Sequence, residues 1–261
     1  LSVTARTTLA YFESRARAYR FTWRGSVISS FLNPVMFLAA MGLGLGSLVD
    51  SGAGSGAIAG VSYVAFLAPG LMAATAMQSA AGDSSWPVMA GIKWWKTYDA
   101  ALATPIGVAD IVVGHLGFVT ARIAFVTIVY GVIAIFFDAM TLLHVVPAAA
   151  AATLTGLAFA AGVFAFTAHL DRDTGLVNLF RFGIVPMFLF SGTFFPITQL
   201  PGWLQPVAYV TPLWNGVELT RAAALGTGPH WNAWIHVGYL VLVIGVGTLL
   251  GIRKLGERLI K

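Results

Sequence analysis

An all-α integral membrane protein is the fold class that three features of this 261-residue sequence predict. Hydrophobic residues make up 58% and charged residues only 10%, and mean hydropathy is +0.83, far outside the composition of water-soluble domains. Apolar stretches long enough to cross a hydrocarbon core of about 30 Å alternate with short polar loops. Lysines and arginines concentrate in alternate loops. These features predict one membrane domain over residues 1–261 with six transmembrane helices, and no polar segment is long enough for a separate water-soluble domain.

The elements follow in order. In residues 1–24, Leu9, Phe12, Ala16, Tyr19 and Trp23 recur at spacings of three and four, with Glu13, Arg17, Arg20 and Arg24 on the other side. This predicts a basic amphipathic helix on the cytoplasmic surface, its aromatic edge toward the membrane, rather than a secretory signal. Residues 25–46 form the first span, kinked at Asn33-Pro34 by the missing backbone donor. The glycines at 42, 44 and 46 superficially suggest a dinucleotide loop, but no strand precedes them. Residues 47–60, rich in Ser and Gly, read as an exterior connection, and 61–81 as the second span.

Residues 82–106 form the longest polar interval, carrying Asp83, Lys93, Trp94, Trp95, Lys96, Tyr98 and Asp99. Its Trp and Lys content predicts a helix at the water–lipid boundary. The third span, 107–137, is longer than one crossing needs, so the membrane entry is expected near Phe118, with Asp110 and His115 in cytoplasmic water. Arg122 then lies about one turn inside; it snorkels, pairs with an acid from another helix, or contacts substrate. Residues 145–168 form the fourth span, whose five alanines at 148–152 suit close helix packing. The turn from His169 to Asp173 reads as charged rather than metal-binding. The fifth span, 175–195, carries Arg181 about two turns inside and bends at Pro186. The sixth covers 234–252.

Between spans five and six the chain breaks at Phe195-Pro196, passes Pro201 and Pro206, and restarts at Thr211-Pro212. Thr211 suits an N-cap, Pro212 the first helical position and Gly226 the residue past the end, so 213–225 is a separate short helix. At about 1.5 Å per residue it spans about 20 Å. Residues 196–228 are therefore expected to form an exterior hairpin of re-entrant half-helices, whose backbone must be covered by protein or face a water-filled cavity. Within this short helix Glu218 and Arg221 stand three apart and can pair, and Asn215 shares a face with Glu218.

Orientation follows from charge. Cytoplasmic termini place five basic residues before the first span, two after the second, one after the fourth and four at the C-terminal end. No basic residue falls in the first two exterior loops, so the chain is expected N-in and C-in.

The run from Phe188 to Gly226, FLFSGTFFPITQLPGWLQPVAYVTPLWNGVELTRAAALG, resembles the membrane subunit of type-2 ABC exporters (ABC-2 permeases), in particular the branch exporting nodulation lipo-oligosaccharides and polyketide drugs. The order of SGxxFP, QLP and a proline-bearing helix ending in Leu-Gly carries the resemblance. The stretch from Lys96 to Pro105 resembles that branch's coupling helix, with Asp99 where the branch has Glu. The resemblance implies a bacterial plasma-membrane subunit that pairs with a second copy of itself or a homologous permease, and with separate ATPase subunits that bind ATP and Mg. It implies ATPase coupling through Lys93, Trp94, Trp95, Lys96, Tyr98, Asp99, Arg17 and Arg20. It further implies a lateral entrance at spans one and five, where Phe37, Met41, Phe188, Phe190, Phe194 and Phe195, with Arg122 and Arg181, are the candidate path. Asn215, Glu218 and Arg221 are the candidate exterior gate. The implied cargo is a lipid, a glycolipid or lipo-oligosaccharide, or an amphiphilic drug.

Chemistry of other kinds has little support. There is no GxxxxGK[ST] loop, no HExxH and no GxSxG, the five histidines are scattered, and cysteine is absent. The chain itself is expected to bind no cofactor or metal, to have no catalytic site and no nucleic-acid partner, and to contact membrane lipids. Two other classes stay open on residues alone. An ion-coupled secondary transporter usually shows internal repeats and mid-membrane acids, and an intramembrane enzyme would have to converge its residues from separate helices.

Overall fold

A computed structural model describes residues 5–21, 25, 32, 35–46 and 61–260. The expected kink at Asn33-Pro34, Trp23, Arg24 and the loop 47–60 lie outside them. The described residues are helical and contain no β-strand. Helix α1 covers Ala5–Tyr19. A helical stretch from residue 35 leads into a π-helix at Ala39–Gly46, which includes the glycine-rich run. Then come α2 (Tyr63–Ser84), α3 (Trp86–Lys93), α4 (Thr97–Leu102), α5 (Val108–Ile135) and α6 (Leu142–His169). The fifth apolar stretch consists of α7 (Thr174–Leu179), a π-helix at Phe180–Ile184 and α8 (Val185–Phe190). After a 3-10 turn at Ile197–Gln199 come α9 (Gln205–Tyr209), α10 (Pro212–Leu225) and α11 (Ala233–Leu259).

Among the described residues, four segments are long and apolar enough to cross a membrane: Tyr63–Lys93, Val108–Ile135, Leu142–His169 and Ala233–Leu259. Helix α6 is the hub and touches α2, α5, α10 and α11. Small residues make this possible. Ala148, Ala149, Ala151 and Ala152 are buried, and a Cβ on Gly156 would meet Ile123 at 2.9 Å and the Ala76 carbonyl at 3.1 Å. In the most apolar window of α11 only 22% of residues are buried, against 78% for the run from Tyr63 to Lys93. Helix α2 is thus internal, and α11 presents most of its surface outward.

Two prolines explain two irregularities. Pro87 has no N–H to give the Asp83 carbonyl and its ring crowds that position, and the helix breaks at Ser85 between α2 and α3. Pro186 disturbs the fifth stretch in the same way, but there the chain widens instead of breaking. The Val185 N–H donates to Phe180 O, five residues back, which makes the π turn around Arg181.

Three expectations need correction. Asp110 and His115 are not in water: Asp110, 3% exposed, is covered by α1, whose Thr8 bonds it, and His115, 0% exposed, packs against Ser84 of α2 and Phe164 of α6. The interval 82–106 is not one polar interfacial helix, since residues 88–92 are buried and α3 packs against α6. On α1, Phe12 and Tyr19 of the edge expected to face the membrane pack against Phe118 of α5 instead, beside Thr8 and Tyr11, while Leu9 is exposed.

Candidate functional site

A cavity of about 580 Å³ lies between residues 36–41, α2, α5 and α8. Of the residues expected on a substrate path, Phe37, Met41 and Phe188 line it. Phe194 joins the same aromatic group, its ring centroid 6.1 Å from Phe37 and 5.0 Å from Phe188. The cavity also has a polar side that the sequence reading missed. Thr75, Gln78 and Ser79, at helical spacing on α2, face it together with Tyr130 of α5. Three polar residues on one stripe of an otherwise apolar helix were the available signal. The Tyr130 hydroxyl is buried and has no hydrogen-bond partner among the described residues, so a polar group entering the cavity would find a donor and acceptor there.

The other candidates of that group lie elsewhere. Arg181 and Phe190 are exposed, and Phe195 packs on the small core of Ile197, Leu200, Ala208 and Trp214. Arg122 bonds Asp83 of α2 and sits 5.5 Å over the Tyr19 ring of α1. It is thereby paired with an acid from another helix, one of the three roles open to it. The pair is about one-fifth exposed on each side, and it closes a polar joint at this end of the bundle. There Thr8 Oγ1 donates to Asp110 at 2.8 Å, Ser84 Oγ contacts His115 Nε2 at 3.4 Å, and Thr167 Oγ1 donates to the Ser84 carbonyl at 2.9 Å.

Beyond this joint the chain forms an exposed tip. Trp94 and Trp95 are 55% and 67% exposed. Lys96 adopts a left-handed backbone (φ 52°) that turns α3 into α4, and its ammonium lies 3.5 Å from the Asp99 carboxylate. Tyr98 points the other way. It is 1% exposed and its ring lies tilted, 6.5 Å from that of Tyr11 of α1, in the notch that Gly91 leaves open, where a Cβ would meet the Tyr98 ring at 3.2 Å. Burial raises both phenol pKa values, that of Tyr98 well above the ordinary range, with its Tyr11 neighbour adding to the shift. Tyr98 is therefore an anchor between α4 and α1, and the free surface consists of Trp94, Trp95, Lys96 and Asp99. Arg17 and Arg20 of α1 are exposed, Arg17 paired with Glu13 at 3.1 Å. Lys93 donates to the Asp171 carbonyl at 3.1 Å and fastens the tip to the turn after α6. Among the described residues no three histidine or acidic side chains converge on a metal-binding geometry.

At the opposite end, α10 runs antiparallel to α6. Gly216 meets Thr155 near the middle of α6, and Gly226 meets His144 near its start. Thr211 caps α10 by accepting from the Trp214 N–H at 3.2 Å, and Gly226 closes it in a left-handed conformation (φ 66°). Arg221 pairs with Glu218 at 3.1 Å, donates to the carbonyls of Gly192 (2.8 Å) and Phe66 (3.3 Å), and lies 3.9 Å over the Phe66 ring. Asn215, 2% exposed, contacts His236 Nδ1 at 2.8 Å and donates to the carbonyls of Tyr209 and Thr211. These three residues bind α10 to α2, to the turn after α8 and to α11.

Residues 9–225 match the model of the ABC-2 type transporter family. The chain belongs to that family. This ABC-2 chain is 30% identical over 254 residues to nodulation protein J of Rhizobium meliloti (strain 1021), covering 96% of the chain and 93% of the relative. It is likewise 30% identical to nodulation protein J of Rhizobium leguminosarum bv. viciae, covering 97% and 95%. Similarity to the inner membrane transport permease YadH of Escherichia coli (strain K12) is 27% over 204 residues, 76% of the ABC-2 chain and 77% of the relative.

Proposed function

We propose that this chain is the permease subunit of an ATP-driven exporter of amphiphilic cargo, a lipid, a glycolipid such as a lipo-oligosaccharide, or an amphiphilic drug. The observation that carries the cargo class is the two-sided cavity. Phe37, Met41 and Phe188 offer an apolar wall, while Thr75, Gln78, Ser79 and the unpaired Tyr130 hydroxyl offer hydrogen bonds opposite. A small ion would gain little from the aromatic wall, and a plain hydrocarbon would leave the polar wall unpaired. In this reading the chain has six spans with both termini in the cytoplasm of a bacterial plasma membrane. The helix α10 is a re-entrant half-helix on the exterior side, and Asn215, Glu218 and Arg221 hold the exterior gate. Two copies, or one copy and a homologue, enclose the path, with spans one and five beside its lateral entrance.

Power comes from a separate ATPase subunit that binds ATP and Mg. The exposed tip of Trp94, Trp95, Lys96 and Asp99, with the basic face of α1, is the surface that meets it. Support comes from membership of the ABC-2 family and from the unburied indoles, which are costly in water and suit the centre of a protein interface.

The test is co-purification of the chain with the ATPase encoded beside it, followed by measurement of ATP hydrolysis. Native complex should hydrolyse ATP, and Asp99→Ala or the Trp94→Ala, Trp95→Ala pair should lose association or activity by at least about tenfold, the loss of about 1.4 kcal/mol of interface energy. An active complex unaffected by these substitutions would remove the tip from the interface. Failure to associate with any ATPase would overturn the exporter reading.

A further inference from the structure

On the side of the bundle away from the cargo cavity, α6 and α11 leave a groove of about 540 Å³ between them. Its walls are apolar and open outward: Phe166, Leu242, Val246 and Leu250 are each between 38% and 63% exposed. Two glycines shape it. Gly247 lets α11 touch α6, since a Cβ there would meet the Ala161 carbonyl carbon at 2.8 Å and the Gly162 nitrogen at 2.9 Å. Gly162, next along α6, has no atom within 4 Å of where its Cβ would stand, and so leaves the groove floor empty. One end of the groove is different. His169, the last residue of α6, and Lys254, near the end of α11, line it there.

The charges around this mouth leave a surplus of cation. Glu257 is shared by Arg253 and Lys254, at 2.8 Å each, so one carboxylate faces two positive side chains. Arg258, one turn beyond Lys254, is committed to the carbonyls of Ala168 (3.3 Å) and Leu170 (2.5 Å) at the end of α6. Those bonds hold the two helix ends together and leave Lys254 at the opening. Across the turn stand Asp171, Arg172 and Asp173, with Lys93 donating to the Asp171 carbonyl. A slot that is apolar along its length and cationic at the end facing the loops has the shape and polarity of a lipid molecule with a negative headgroup.

We propose that the α6–α11 groove binds one anionic phospholipid of the cytoplasmic leaflet. An acyl chain lies over Gly162 between Phe166 and Val246, and the phosphate accepts hydrogen bonds from Lys254 Nζ and the His169 ring. The site is independent of the cargo reading, because no residue is common to the two cavities.

The test uses the purified full chain, stripped of lipid in detergent and titrated with dioleoyl phosphatidylglycerol or dioleoyl phosphatidylcholine. Lipid retained per chain and the thermal unfolding midpoint are read together. Phosphatidylglycerol should be retained more strongly and raise the midpoint further. Lys254→Ala should reduce that preference about fivefold, the effect of one surface cation on an anionic lipid, while Arg17→Ala, an exposed cation of α1 outside the groove, should leave it within about twofold. Gly162→Leu, or Val246→Phe from the other wall, should lower retention of both lipids by filling the slot. Equal retention of the two lipids by the native chain would overturn the proposal, as would equal effects of Arg17→Ala and Lys254→Ala. So would filled-groove variants that keep their lipid, or that change the oligomeric state instead, which would make the groove an interface between copies.

Discussion

The hairpin after Pro196 and the stretch after Ser85 both follow a break in an apolar helix, but the hairpin buries one of its two tryptophans, leaving Trp203 exposed, whereas the tip exposes both of its own. In the hairpin Trp214 is 1% exposed, enclosed by Tyr209, His230, Trp231 and His236 at ring distances of 4.7 to 6.1 Å. In the tip Trp94 and Trp95 are more than half exposed. The hairpin is also hydrogen-bonded to three other parts of the chain through Arg221 and Asn215, whereas Lys93 is the side chain that ties the tip to the turn after α6. The hairpin has a small packed core of its own around Trp214, although Trp203 stays exposed; Trp94 and Trp95 have none and leave their surface open to a partner. Substitutions should therefore act on folding at the first end and on association at the second.

The largest effect is expected at Arg221. Its replacement by Met strands Glu218 and two carbonyl partners in a site 12% to 20% exposed, and should cost about 3–5 kcal/mol in reversible unfolding. Gly216→Ala comes next. The added Cβ would stand 2.1 Å from Thr155 Oγ1, an overlap expected to cost about 1–3 kcal/mol, and Thr155→Ala in the same chain should recover part of the loss. Thr211→Ala removes the cap of α10 and should cost about 1 kcal/mol in the same assay. The smallest change is expected from the Trp94→Ala, Trp95→Ala pair, within about 0.5 kcal/mol on unfolding, even where the proposed ATPase association is lost. If the pair unfolds the chain as readily as Arg221→Met, the contrast between the ends fails. Unfolding that is unaffected by Arg221→Met would break it from the other side.

The sequence made the hairpin legible because its signals are local. Thr211, Pro212 and Gly226 mark α10 by their own backbone preferences, and the observed helix, Pro212–Leu225, starts one residue from the expected 213–225. The alanines of α6 likewise announce close packing wherever their partner lies. Pairings between distant residues were not legible. Arg122 with Asp83, Tyr11 with Tyr98 and Arg221 with the Phe66 carbonyl each join helices far apart in sequence. Helices apolar on every side, such as α5 and α6, carry no stripe that says which face meets which neighbour. For the same reason the burial of Asp110 and His115 is not legible in the sequence, since Thr8 of α1 covers the first while Ser84 of α2 and Phe164 of α6 cover the second. Along the candidate path the aromatic residues attracted attention by type, but only the fold separates Phe37 and Phe188, which line the cavity, from Arg181 and Phe190, which face outward.

The break at Ser85 divides what would otherwise be a single stiff rod from Tyr63 to Lys93. A straight rod transmits any rotation of its end along its whole length. A jointed one absorbs part of that rotation at the joint, and what continues depends on how firmly the inner segment is clamped. Here the clamp is Asp83, two residues before the joint, held by Arg122 beneath Tyr19. A push on the Trp94–Trp95 tip would meet the break first and, immediately behind it, both the Asp83–Arg122 pair and the Thr167–Ser84 bond, so these contacts stand between the tip and the wall of Thr75, Gln78 and Ser79.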